Sequence, residues 1–207
     1  VGMAWQWHFG PGPYVAIFLI LFYSNAYNFV DGMDGLAGSV LVLFAGGLAM
    51  LGWLQMRPDD VLIPCVALIG SVIPFLFLNA PPAKVFMGDV GALPIGAVLG
   101  LVVAMLLKLT VGLHQPTATL ALSRPVLNQM QTALPLLVMS LLMVAELVPV
   151  PMQVAWVKLF KKRLFPMTPI HHAFQKAGWP ESRVVWYFVL FQLLCIAFGL
   201  MIYLSSG

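Results

Sequence analysis

Charge is scarce in this chain: ten Lys and Arg and seven Asp and Glu in 207 residues, 8% in all, against 61% hydrophobic residues. That balance excludes a water-soluble domain of this length, which would carry about 25% charged residues. Cysteine is scarce too, and Cys65 and Cys195 both fall in apolar runs, where a thiol packs as a small hydrophobe; no disulfide framework or cysteine metal site is implied. A nucleic-acid role is not expected, because the few cations lie in short segments between oily ones, where lipid headgroups are the default partner. Neither an internal repeat nor a low-complexity linker divides the chain, so residues 1–207 read as one membrane domain. The sequence opens at Val1, with no initiator Met and no basic stretch leading to a cleavage site, and it reads as a piece of a longer chain.

What remains is long hydrophobic runs. A helix crosses the hydrocarbon with about 20 mostly apolar residues. Uncharged runs cover 35–56, 61–83, 90–107, 125–145 and 184–207, and another apolar run starts at Tyr14. The expected fold is therefore all-α and polytopic, with six spans. The stretch 109–131 is too polar to span and carries Pro116 and Pro125, so it is expected to be an external loop with room for a short interfacial helix.

Consecutive spans alternate direction, which sorts the loops by side. Loops around 25–34, 79–90 and 158–183 share one side, with seven cations: Lys84, Lys158, Lys161, Lys162, Arg163, Lys176 and Arg183. The other side holds three, Arg57, Lys108 and Arg124. The excess of positive charge predicts that the first side is cytoplasmic. The same side gathers Asp31, Asp34, Asp89, His171 and His172.

Three constellations carry the chemistry. In "NAYNFVDGMDG" the polar residues Asn25, Asn28, Asp31 and Asp34 recur every third position. A three-residue helical step drifts each by about 60°, so a continuous helix cannot gather all four. Gly32 and Gly35 offer a break, with the amides ending one span and the acids lining a loop into the next; ordinary helix capping is the plainer reading of any one of them. In "NAPPAKVFMGDVGALPIGAVLG" the prolines Pro81 and Pro82 stop a helix, and Asp89 precedes the next span, placed to cap it or to hold Mg²⁺, which takes one or two carboxylates plus water and substrate phosphates. Phe86 is either interfacial packing or a plate for a base. In "KKRLFPMTPIHHAFQKAGWPESR" adjacent His171 and His172 follow a basic cluster and suit phosphate oxygens, while the usual zinc ligand set is missing. The basic cluster itself also fits a topogenic patch facing anionic lipid. Finally, Glu146 lies inside an apolar span beside Pro149 and Pro151, which should break that helix; its partner is not legible locally.

These three loops resemble the signature loops in the later half of the polyprenyl-phosphate N-acetylhexosaminyl-1-phosphate transferases, and within them the branch that handles phospho-N-acetylmuramoyl-pentapeptide. The resemblance covers Tyr14 to the C-terminus, with 109–131 as an insertion. It implies a bacterial inner-membrane enzyme of peptidoglycan synthesis, in which undecaprenyl phosphate attacks the pyrophosphate of UDP-MurNAc-pentapeptide to give lipid I and UMP with the help of Mg²⁺. Carried over by position, Asp89 resembles the Mg²⁺-binding aspartate, with Asn28 adding to the metal or phosphate shell. Asp31, Gly32 and Asp34 resemble the loop facing nucleotide and sugar, with Asn25 beside it; Phe86 matches an aromatic stacked on uracil, and His171 and His172 the histidine motif near the phosphates. Family members tend to be dimers, which implies a homodimer here.

The chain departs from the family in two places. A third histidine and a following acid are replaced by Ala173 and Gln175. The family's adjacent aspartate pair with a downstream lysine, on an earlier loop, has no counterpart, and six spans are readable where about ten are implied. Two other readings stay open: a sister enzyme using UDP-GlcNAc, disfavoured by "PIHHAFQKAGWPE", and a transporter or scaffold, disfavoured by the one-sided clustering of polar residues.

Overall fold

The computed structural model describes residues 11–56, 58–107 and 125–206. Its helices are α1 (Gly12–Val30), α2 (Leu36–Leu54), α3 (Ile63–Asn79), α4 (Gly88–Leu106), α5 (Pro125–Met139), α6 (Leu141–Leu147), α7 (Pro149–Phe160), α8 (Ile170–Lys176) and α9 (Glu181–Ser205), with a short π-helical turn at Pro58–Leu62. Among the described residues there is no strand. Six stretches are long and apolar enough to cross a membrane: Gly12–Val30, Leu36–Leu54, Asp60–Asn79, Gly88–Leu106, Leu141–Phe160 and Glu181–Ser205. This is an all-α, multi-pass membrane protein, as composition demands: inside lipid a helix satisfies its own backbone groups without water.

The breaks fall where local chemistry puts them. Ala80, the residue before Pro81, is extended at φ −61° and ψ 143°, which ends α3. α2 starts from Gly35 in the left-handed region, φ 76°, where a Cβ would be strained. The segment 109–124 and the cations Arg57, Lys108 and Arg124 lie outside the described residues. Residues 125–131, read from sequence with the external loop, are instead the opening turns of α5.

Packing divides the fifth apolar stretch. Helical hydrogen bonding runs from α5 through Ser140 into α6, with the Ser140 N–H donating to Leu136 O and the Val144 N–H to Ser140 O. The 23 residues from 125 to 147 make a rod of about 34 Å, lying against α9 and α1. α7 then leaves the bundle. Pro149 and Pro151 supply no N–H to the preceding turn, the helix yields there, and α7 keeps α6 as its main neighbour.

At the centre is α2, with Leu41, Phe44, Leu48 and Leu51 fully enclosed between α3, α9 and the π turn. α1 and α4 lie antiparallel, backbone on backbone. A Cβ on Gly96 would sit 2.4 Å from Tyr23 O, and one on Gly100 2.7 Å from Ile20 Cα. Small residues four apart are how helices approach closely in lipid, where greasy side chains gain nothing over acyl chains. Buried polar ties lock the register: Tyr23 and Ser140 share a hydroxyl hydrogen bond, and Gln192 Nε2 donates to Met139 O at 3.0 Å. At the far end Gln55 donates to Thr132 at 2.9 Å and Gln131 to Ser206 O at 2.7 Å.

Candidate active site at the meeting of three loops

At the opposite end the three polar loops converge, as a direct result of the α1–α4 seam. Asn28, in the last turns of α1, donates through Nδ2 to Asp89 Oδ1 at 2.8 Å. Asp89 opens α4, where the helix N-terminus favours an anion. The Gly88 N–H donates to Asp31 Oδ2 at 3.0 Å, joining the residue that ends α1 to the one that begins α4.

Asp34 ties the same loop to the rest. Its Oδ2 accepts from Ala83 N–H at 2.9 Å, and its own N–H donates to Glu181 Oε1 at 2.9 Å, at the first residue of α9. Asn79, buried at the end of α3, takes the Gly35 N–H on its Oδ1 and donates from Nδ2 to Val85 O, both at 2.9 Å. Sequence reasoning passed over Asn79 and gave Glu181 no structural part. The signal for Asn79 was an amide closing an apolar span just before Ala-Pro-Pro.

The charge at this end is unbalanced. Partial burial pushes the Asp31 carboxyl above its usual range, the Gly88 N–H pulls it back, and the nearby Asp89 charge raises it further. Among the described residues no three His, Cys, Asp or Glu side chains gather as a metal site. A cation here would rest on Asp89 with Asp31 or the Asn28 amide oxygen, and complete its shell with water and substrate oxygens. Hard oxygen donors in that small number fit Mg²⁺.

The histidine loop joins from α8. His171 is enclosed, 1% exposed, with its Nδ1 2.8 Å from Glu146 Oε2 and its backbone N–H 3.2 Å from Oε1. This is the partner of Glu146 that the sequence could not supply. A lone carboxylate at that depth would cost several kcal/mol; two N–H donors offset it. His172 is half-buried, its ring tilted 57° to that of His171 with centroids 4.2 Å apart, and its Nδ1 meets Gln175 Oε1 at 2.7 Å. Gln175 thus supplies an acceptor oxygen where the family pattern has an acid, and the Ala173 departure leaves that contact intact.

Two residues of the sequence pattern stand apart. Asn25 is exposed on α1, donates to Leu21 O one turn back at 2.8 Å, and lines a groove toward α7 rather than the acidic loop. Phe86 is 72% exposed on the loop before α4. Beyond the histidines, Arg183 lies over the Trp179 ring at 4.5 Å and the Tyr187 ring at 5.7 Å, fixing the start of α9. The basic segment is clasped to α7 by Gln153, whose Oε1 accepts from the Leu164 and Phe165 N–H groups at 3.0 and 2.9 Å.

Comparison with known proteins fits this arrangement. Curated relatives named phospho-N-acetylmuramoyl-pentapeptide-transferase include one from Neisseria meningitidis serogroup C, 37% identical over 203 residues, covering 88% of this chain and 50% of the relative. One from Psychrobacter cryohalolentis is 35% identical over 217 residues, 95% of this chain and 52% of its own length. A third, from the Wolbachia of Brugia malayi, is 34% identical over 189 residues, 88% and 51%. The chain spans about half the length of the curated relatives it matches. The model of glycosyl transferase family 4 matches residues 2–107, a stretch that holds α1 to α4 with the acidic loop and Asp89. On that match, the chain belongs to glycosyl transferase family 4.

Proposed function

We propose that this chain carries the nucleotide-sugar side of a Mg²⁺-dependent site that transfers phospho-N-acetylmuramoyl-pentapeptide from UDP-MurNAc-pentapeptide to undecaprenyl phosphate. The observation that carries the reading is the convergence of Asn28, Asp31 and Asp34 from one loop with Asp89 from a second, at one end of an apolar bundle. The relatives' shared name supports the same substrate class.

In the reaction a phosphate oxygen of the lipid forms a bond to the sugar-linked phosphorus. The bond from that phosphorus to the bridging oxygen breaks, and UMP departs with the oxygen. One pyrophosphate linkage replaces another, so the demand on the protein is alignment and charge neutralisation. Bound Mg²⁺ would supply charge neutralisation at the pyrophosphate. Asp89 and Asn28 hold that position, Asp31 and Asp34 set the loop that faces nucleotide and sugar, Phe86 offers its exposed ring to the base, and His172 stands at the phosphates.

The acceptor needs an apolar path to this end of the bundle. A groove of about 550 Å³ between α1 and α7, lined by Asn25, Phe29, Leu147, Val150, Pro151 and Lys158, has that character, with one cation for a phosphate. The excess of positive charge around the site end supports a place at the cytoplasmic face of a bacterial inner membrane. The reading is tested by UMP release in nanodiscs with undecaprenyl phosphate and Mg²⁺, offering UDP-MurNAc-pentapeptide and UDP-GlcNAc separately. Release with the first alone is expected; release with UDP-GlcNAc alone would move the chain to the sister activity, and dependence on neither Mg²⁺ nor the lipid would remove the mechanism.

A further inference from the structure

Glu146 takes both of its donors from one residue, the backbone N–H and ring Nδ1 of His171. A carboxylate only accepts, so the ring proton on this side sits on Nδ1. The opposite nitrogen, Nε2, is buried without a hydrogen-bond partner. It lies on Gly32: a Cβ built there would fall 2.3 Å from Nε2 and 2.8 Å from Cε1. The Gly32 backbone therefore lies close against the ring at Nε2, where a Cα–H contact fits and a side chain does not. A bare lone pair accepts such a Cα–H contact. Gly32 has no left-handed backbone angle, so glycine is required there for closeness.

We propose that Glu146 is a positioning residue, which holds His171 as the Nδ1–H tautomer so that the bare Nε2 seats on Gly32 and fixes the acidic loop 31–35 relative to α6. One imidazole thereby registers three segments that are distant in sequence: α6, the start of α8 and the α1–α2 loop. That this loop then receives a nucleotide-sugar rests on the transferase reading; the clamp itself does not.

The test uses the full chain, labelled with ¹⁵N-histidine, in nanodiscs of phosphatidylethanolamine and phosphatidylglycerol, with His171 assigned by His171→Asn. The expected signature is a protonated Nδ1 and a bare Nε2. In Glu146→Gln the carboxamide can accept only one of the two N–H groups and turns an NH₂ toward the other. The expected result is loss of the single tautomer, with amide exchange at Gly32, Met33 and Asp34 faster by tenfold or more while α2 and the middle of α9 stay protected. An Nε2–H or doubly protonated His171 in the unmodified chain would overturn the proposal. So would an unchanged tautomer in Glu146→Gln, or faster exchange spread evenly over the protein. Should Glu146→Gln fail to insert, Gly32→Ala gives a second reading: its Cβ must displace the ring, and an unshifted His171 signal refutes the contact. A parallel UMP titration with Mg²⁺ keeps the two readings apart, since a correct tautomer without UMP binding counts against the transferase and not against the clamp.

Discussion

α4 and α7 are both apolar, both carry proline, and both adjoin the polar end of the bundle, yet one is locked and the other splayed. α4 presents Gly96 and Gly100 to the backbone of α1 and buries Leu99, Val102 and Val103. α7 offers no such flat stripe. Its Met152, Val154, Leu159 and Phe160 remain exposed, Leu159 at 75%. α7 is the less hydrophobic of the two, yet both stretches are apolar enough to sit in lipid, so apolarity alone does not decide which one packs. In a bilayer a leucine gains nothing by leaving lipid for protein, and helices associate where their surfaces permit backbone contact. The seam therefore builds the site, and the helix without a seam is left to meet lipid.

Gly96→Leu should break this contrast most severely. The new side chain must displace the α1 backbone, overpacking costs about 1–3 kcal/mol, and the Asn28–Asp89 bond parts with the seam. Thermal unfolding in detergent should fall by roughly 2–4 °C for each kcal/mol lost, and UMP release should disappear with it. Asp89→Asn should separate chemistry from packing. The amide can still meet Asn28, so the unfolding temperature and membrane insertion should hold. Turnover should drop at least about a hundredfold, or roughly 2.7 kcal/mol at the transition state; retained UMP release would take Asp89 out of the metal site. Gln153→Ala removes the acceptor for two N–H groups and should loosen residues 161–169 from α7, by about 1–2 kcal/mol locally. Limited proteolysis reads this as new cleavage near the lysines. Leu159→Ala, on the lipid-facing side of α7, should change the unfolding temperature least, within about 0.5 kcal/mol; a large drop would mean that α7 is packed after all.

The sequence made the helices and their punctuation legible, because length, hydropathy and proline act locally. The end of α1 at Val30, the stop before Pro81 and the break at Pro149 all follow from a few neighbouring residues. The start of α5 is less legible: the polar stretch through Gln131 reads as loop with a short helix, whereas residues 125–131 are the opening turns of a longer one. The site was legible in part. Spacing alone could show that four polar residues cannot share one helical face, and Asn25 does face elsewhere. What stayed hidden depends on register between distant segments. Glu146 meets a histidine 25 positions away, and Gly32 is required by a ring from α8 rather than by its own turn. No local pattern encodes either meeting.

The bond from the Asp34 N–H to Glu181 bridges 147 positions. Synthesis proceeds from the N-terminus, so the acidic loop is made before α9 and waits through the insertion of every intervening span for the carboxylate that closes it. A ribosome stalled before α9 would leave a chain with most of its helices in the bilayer and its polar end unfastened. The acidic loop and the start of α9 thus become a single fastened unit only once α9 is in place, and a cell inspecting half-made chains would find those lacking α9 marked by this open loop.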